Sequence, residues 1–185
     1  GNIYRIKTKA SDLASNTETP GVGLTLLFDN TDPSSTVTYP TNNAKGPSSA
    51  IISGTGTDYP GGTNAGINVI KVSIKNTSNG NYWTGSTWTA SEIWSNSSGT
   101  TNWTYSTVPN WGNGLTYILS SKAEDNAVNI ETPSSYVTFT FDNNFPSSQI
   151  LSPTNNALLK TLTIVSGTAG DVSPGSVGNI KLLIK

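Results

Sequence analysis

The sequence predicts an all-β chain built from antiparallel sandwich units, and three observations predict it. Residues 1–58 and 114–171 are one sequence written twice, at a constant offset of 113 and with 27 of the 58 aligned positions identical. A period near one hundred residues is a domain period, too long for a solenoid unit and typical of all-β sandwiches. Apolar residues alternate with polar ones at period two, as in half-buried strands. No segment keeps apolar residues at helical spacing for two turns, and the 18 glycines and 10 prolines interrupt the chain often.

Each predicted strand has its own pattern. Tyr4 and Ile6 lead into a small-residue segment around Ala10, and Tyr117 and Leu119 do the same ahead of Ala123. Leu24, Leu26 and Phe28 form one half-buried strand, with Val137, Phe139 and Phe141 as its counterpart. Further strands are expected near Val37 and near Ile51. After a three-residue slip the match resumes, so that Ile70, Val72 and Ile74 face Ile180, Leu182 and Ile184, with lysines between them pointing outward. Short strands, frequent turn signals and no helices make an antiparallel sandwich.

The phase of the repeat sets the domain organisation. Residues 1–29 read as the last strands of one unit, 30–142 as a complete unit, and 143–185 as the first strands of a further unit. The complete unit alone carries an insert over residues 76–113, which holds all five tryptophans.

Composition narrows function. Charged residues make up 11% of the chain, ten basic against eleven acidic, for a net charge of -1. Without a basic stripe there is nothing to neutralise a phosphate backbone, so nucleic acid is not an expected partner. Cys, His and Met are absent, which removes thiol nucleophiles, imidazole bases, soft-metal sites and disulfides. No enzyme is expected. The apolar runs are far shorter than the roughly 20 residues of a membrane-spanning helix, no signal peptide opens the chain, and the Ser-, Thr-, Asn- and Gly-rich composition points to a mature extracellular protein.

One motif carries a resemblance. Tyr117, Leu119, Ala123, Asp125, Ala127 and Asn129 stand in the order Y-x-L-x-x-x-A-x-D-x-A-x-N, followed by the Phe139-x-Phe141-Asp142-Asn143 strand and Pro146-Ser147-Ser148. The motif recurs at Tyr4, Ile6, Ala10, Asp12, Ala14 and Asn16. This resembles the bacterial immunoglobulin-like (Ig-like) repeats of large cell-surface proteins and adhesins, over most of the chain. The sequence departs from that pattern at Ser15 and Val128, where many such repeats have glycine. The resemblance implies an Ig-like β-sandwich in which Tyr4 and Tyr117 start the sixth strand and bond back to the backbone at a sandwich corner. Plain core packing is the alternative for both rings.

Four sets of side chains are candidates for function. The resemblance implies calcium held by oxygen ligands at repeat junctions, and Asp12, Glu18 and Asp29 in one copy and Asp125, Glu131 and Asp142 in the other recur at fixed positions. The competing reading is that these aspartates cap turns and end strands. Trp83, Trp88, Trp94, Trp103 and Trp111 either stack on surface glycans, which makes the unit a carbohydrate-binding adhesin module, or supply core area to strands made of small residues. Asn76, Asn96 and Asn102 begin N-x-S/T triplets, the glycosylation acceptor pattern. Lys71, Lys75 and Lys122 are placed by strand position for a lysine-to-asparagine isopeptide link.

The partner expected from the repeat phase is another copy of the chain, joined head-to-tail. Residues 143–185 and 1–29 each carry strands that cannot hide an apolar face alone, and exposed edges of that kind pair with other strands. If one half takes the other from a neighbour, the contact is heterologous and gives an open polymer. A tandem polypeptide in which the halves are joined by a peptide bond gives the same stalk.

Overall fold

Fourteen strands form in the computed structural model, which describes residues 1–46, 51–58 and 63–185; no helix occurs among the described residues. The centre of the chain is a β-sandwich-like pair of sheets. One sheet has the order β10-β5-β3, from Asn102–Tyr105, Ile52–Thr57 and Ser34–Tyr39. The other runs β4-β12-β11-β6-β7-β8, from Ala44–Gly46, Val137–Phe141, Thr116–Asp125, Ile67–Asn76, Tyr82–Trp83 and Trp88–Thr89, with β9 (Ser95–Asn96) beside β6. Pairing is antiparallel throughout this unit except for β12 with β4, which is parallel.

The longest ladder joins β6 to β11, from Tyr117↔Asn76 to Asp125↔Ile67. Both strands are ten residues long, and β11 alternates strictly between half-buried and buried positions. Ile70, Val72 and Ile74 of β6 and Tyr117, Leu119 and Ala123 of β11 turn inward, together with Phe139 and Phe141 of β12. Ile52, Trp103 and Tyr105 of the smaller sheet close over them. Trp103 fits because Gly54 lies beneath it: a Cβ at Gly54 would strike the Trp103 ring and the Thr36 carbonyl. The indole Nε1–H of Trp103 donates to the Thr55 carbonyl at 3.1 Å, so its one polar group is satisfied in the core.

Two smaller hairpins flank this unit and repeat its local pairing. β1 (Asn2–Ile6) pairs with β2 (Leu24–Phe28) with Ile3 opposite Leu27, as Thr116 lies opposite Thr140 in β11 and β12. β13 (Ser147–Ser152) pairs with β14 (Ser166–Gly170) with Ser147 opposite Gly170, as Ser34 lies opposite Thr57 in β3 and β5. The duplicated sequence therefore writes the same register twice.

The turn after β11 explains the two missing glycines. Val128 and Ser15 sit at φ 69° and 68°, in the left-handed region. A β-branched residue there meets a steric penalty of about 1–2 kcal/mol, partly offset in any glycine variant by the entropy of the unfolded chain. Val128→Gly is expected to raise the unfolding free energy by about 0.5–1 kcal/mol, measured by urea denaturation. Gly54→Ala should act in the opposite direction, lowering it by about 1–3 kcal/mol with a shift in tryptophan emission as the Trp103 ring is displaced.

Candidate functional site

Three aspartates from three separate stretches of the chain meet at one end of the central sandwich. Asp29 follows β2, Asp58 follows β5, and Asp125 ends β11. All three are buried, Asp125 fully, and one carboxylate oxygen of each lies within 4.8 Å of the others. Of the expected ligands, the structure brings Asp29 and Asp125 together and adds Asp58, which the sequence reading missed. A signal for Asp58 was available, because it is the last identical pair of the duplicated block, matching Asp171.

Backbone amides hold each carboxylate in place. The amides of Ala127 and Asn129 donate to Asp125 Oδ1, both at 2.8 Å, while Asn129 Nδ2 donates to Asp125 Oδ2 at 2.7 Å. The same Asn129 amide reaches the Asp29 carbonyl at 3.2 Å, tying the two loops together. Thr31 N–H donates to Asp29 Oδ1 at 3.1 Å and Ala65 N–H to Asp29 Oδ2 at 2.7 Å. The Gly1 amino group stands 4.0 Å from Asp29 Oδ1. Gly66 N–H donates to Asp58 Oδ2 at 2.7 Å. Asp58 Oδ1 has no partner; among the described residues only Ser73 Oγ shares that condition.

The charges respond as this geometry requires. Hydrogen bonds from Ala65 and Thr31 hold the Asp29 carboxyl below its ordinary value. Burial pushes Asp58 up, and the carboxylates of Asp29 and Asp125 add to that shift against the single Gly66 bond.

The other expected ligands lie elsewhere. Glu131 Oε2 accepts from Ala123 N–H at 2.8 Å and from Ser35 Oγ–H at 2.6 Å, which makes it a strut between strands. Glu18 Oε2 likewise accepts from Ala10 N–H at 3.1 Å. Asp12 repeats the Asp125 arrangement with Ala14, Asn16 and the Asn16 side chain, but it is exposed. The Asn16 bonds hold its carboxyl low. Asp142 accepts from Asn144 N–H at 3.0 Å and lies beside Asp171: a Cβ at Gly175 would touch Oδ2 of both.

None of the five tryptophans is exposed. Trp83 and Trp88 lie 5.3 Å apart, Trp88 stacks on Tyr117, and Trp111 meets Tyr117 and Phe139 edge-on at 4.7 and 4.8 Å. Trp83 Nε1 donates to Thr107 O at 2.7 Å, and Lys122 Nζ sits 4.3 Å above Trp94. The Tyr117 hydroxyl accepts from Gly112 N–H at 2.8 Å, five residues upstream, while Tyr4 stays exposed. Asn76 is buried, and its Oδ1 accepts from Ser78; Asn96 and Asn102 are exposed. Lys71 pairs with Glu124 at 2.9 Å, and Lys75 lies over Tyr82.

No protein-family model matches the chain, and no curated protein is similar enough to count as a relative.

The Asp58 shift has a defined sign. Because its folded value is raised above the ordinary 3.8, its contribution to stability is complete below 3.8 and is lost as pH rises through the folded value. Asp29 works the other way, contributing above its ordinary value and losing that contribution as pH falls through its lowered folded value. In chelator, Asp58→Asn is therefore expected to be more stable than the parent at pH 7 and to differ little from it at pH 3. Thermal melts at the two pH values check this.

Proposed function

We propose that this chain is the repeat unit of an extracellular, cell-surface filament or stalk made of Ig-like sandwiches, in which each incomplete unit is closed by the complementary half of a neighbouring copy. Its work is to span distance and self-associate rather than to catalyse. One comparison carries the reading. Tyr117, Leu119 and Phe141 are 1%, 0% and 8% exposed, whereas their counterparts Tyr4, Ile6 and Phe28 are 50%, 52% and 51% exposed. Ile70, Val72 and Ile74 are 0%, 2% and 2% exposed against 63%, 55% and 76% for Ile180, Leu182 and Ile184. In the central unit the corresponding faces are covered by each other, which supports the same closure for the flanking segments.

The energetics fit a contact that depends on local concentration. Burying six such side chains is worth on the order of 10 kcal/mol, at roughly 1.5–3 kcal/mol each. Association costs about 4–15 kcal/mol. Closure is therefore favourable where copies are held close together, as they are along a fibre or in a tandem polypeptide.

The β6–β11 ladder supplies a template for the register of the proposed junction. Ser121 lies opposite Val72, and a junction in the same register would put Thr8 of one copy opposite Leu182 of the next. The chain has no cysteine of its own, so a double variant, Thr8→Cys with Leu182→Cys, reports this contact without background. Under oxidation a ladder of multiples of 19.4 kDa is expected on a non-reducing gel. Thr8→Cys with Lys181→Cys, where the second side chain would face the opposite side of the strand formed at the junction, should give none. Absence of the first ladder, or equal ladders from both pairs, overturns the proposal. The mass of the intact native chain under denaturing conditions tells a separate subunit from a tandem polypeptide.

A further inference from the structure

The first copy of the duplicated strand carries a charge pattern that its counterpart in the central unit lacks. We infer that Arg5, Lys7 and Lys9 form a docking strip for a linear acidic polysaccharide, and that Lys181 and Lys185 of a neighbouring copy extend it where half-units close. The extension rests on the proposed closure; the strip itself does not.

Divergence between the two copies of one strand carries the strip. On the inward side the copies agree in kind: Tyr4, Ile6, Thr8 and Ala10 stand where β11 has Tyr117, Leu119, Ser121 and Ala123. On the other side Ile118, Ser120, Lys122 and Glu124 correspond to Arg5, Lys7, Lys9 and Ser11, so three of four positions differ and each difference makes the first copy more positive. In the central unit that side is half-buried and its cations are engaged: Lys71 pairs with Glu124 at 2.9 Å, and Lys122 lies 4.3 Å above the Trp94 ring. In the first copy no acid stands at the Glu124 position, and Arg5, Lys7 and Lys9 are all exposed. The acids that follow, Asp12 and Glu18, accept hydrogen bonds from the amides of Ala14, Asn16 and Ala10.

Charge complementarity selects the partner. The three cations run single file at every second residue, a spacing of about 6.6 Å on a strand. Arg5 Nε donates to the Val22 carbonyl at 2.6 Å, which anchors the guanidinium, and exposed hydroxyls stand at Thr25, opposite Arg5, and at Ser11. A strip one strand wide, with spaced point charges beside hydroxyls, complements a thin chain of sugars that bears carboxylates along its length. Duplex nucleic acid binders make about 6–10 phosphate contacts, and single strands need aromatic platforms. The exposed rings nearest the strip, Tyr4 and Phe28, belong to the inward side and pack on each other. At a junction in the β6–β11 register, Lys9 would lie opposite Lys181 and Arg5 opposite Lys185, as Lys122 lies opposite Lys71 and Ile118 opposite Lys75. Like charges directly opposite disfavour pairing, so an anionic chain laid across them would favour closure and be held more tightly by the closed form.

Retention of the full chain on alginate-coupled beads, eluted with a salt gradient, tests the strip. The parent is expected to be held at physiological salt and released at higher salt, and dextran beads should hold none of it. Arg5→Ser with Lys7→Ser and Lys9→Ser should abolish retention, whereas Lys45→Ser with Lys122→Ser and Lys160→Ser, which removes the same charge elsewhere, should preserve it. If the parent is not retained, or both triple variants lose retention alike, the strip falls. If DNA fragments or phosphatidylglycerol vesicles hold the parent to higher salt than alginate does, nucleic acid or membrane replaces the polysaccharide and the inference falls. None of these arms needs linked chains, so they read the strip whether or not half-units close. In the ladder linked through the Thr8 and Leu182 cysteines, adding Lys181→Ser and Lys185→Ser should lower the eluting salt at equal ladder length. Unchanged elution overturns the extension while leaving the closure intact; failure of the ladder to form removes the closure and the extension with it.

Discussion

The ladder between β6 and β11 is the interaction on which the rest of this structure depends. It joins Ile67–Asn76 to Thr116–Asp125, strands more than forty residues apart in sequence, and it brings the inward rows of Ile70, Val72 and Ile74 against those of Tyr117, Leu119 and Ala123. Without it neither strand can hide an apolar face, because β11 keeps only β12 and β4 on its side of the break and β6 only the short β7, β8 and β9. The Ser35–Glu131–Ala123 bonds and the Tyr117–Gly112 bond then fix the sheets around this ladder. What the flanking segments lack is this ladder, which explains why matching sequences are sealed at the centre and open at the sides.

The same constraint builds the carboxylate cluster. Asp125 is the last residue of β11, and the register of the ladder carries it to the end of the sandwich where Gly66, just ahead of β6, bonds to Asp58 at the end of β5. Asp29 arrives from the segment that precedes β3, and Asn129 bonds to both Asp125 and Asp29. Packing thus concentrates charge at a place that local turn chemistry alone would have left dilute. Backbone amides reach both oxygens of Asp29, Oδ1 of Asp125 and Oδ2 of Asp58, which positions the groups, and the unpartnered Oδ1 of Asp58 is what makes the place chemically distinctive.

Much of the architecture was legible because period-two alternation and duplication reinforce each other. β6 and β12 read clearly from Val72 and Phe139, whose neighbours on the strand are Lys and Ser or Thr, and β11 from Tyr117 and Leu119, one step of two apart. The strands of the insert, β7 to β10, are two to four residues each and consist of Trp, Thr, Ser, Asn and Tyr, so no alternation can accumulate. Recurring acids looked alike in sequence, yet Glu131 and Glu18 hold strands through backbone amides while Asp29 and Asp125 converge. Only tertiary distance separates those roles. Asp58 shared the recurrence and escaped notice because its partners lie 29 and 67 residues away, beyond any local pattern.

The tryptophan cluster acquires a further meaning in a chain whose halves are nearly interchangeable. β1–β2 and β11–β12 share a register, and pairing β6 with the wrong hairpin would give an entangled, aggregation-prone swap. Phe139 meets Trp111 edge-on, whereas its counterpart on the competing hairpin is Leu26. An aromatic pair adds about 0.5–1.5 kcal/mol beyond simple burial, a bias of up to roughly tenfold toward the proper mate. The Trp111–Phe139 contact therefore favours the mate that lies beside β6 in the structure over a hairpin that offers Leu26 in its place.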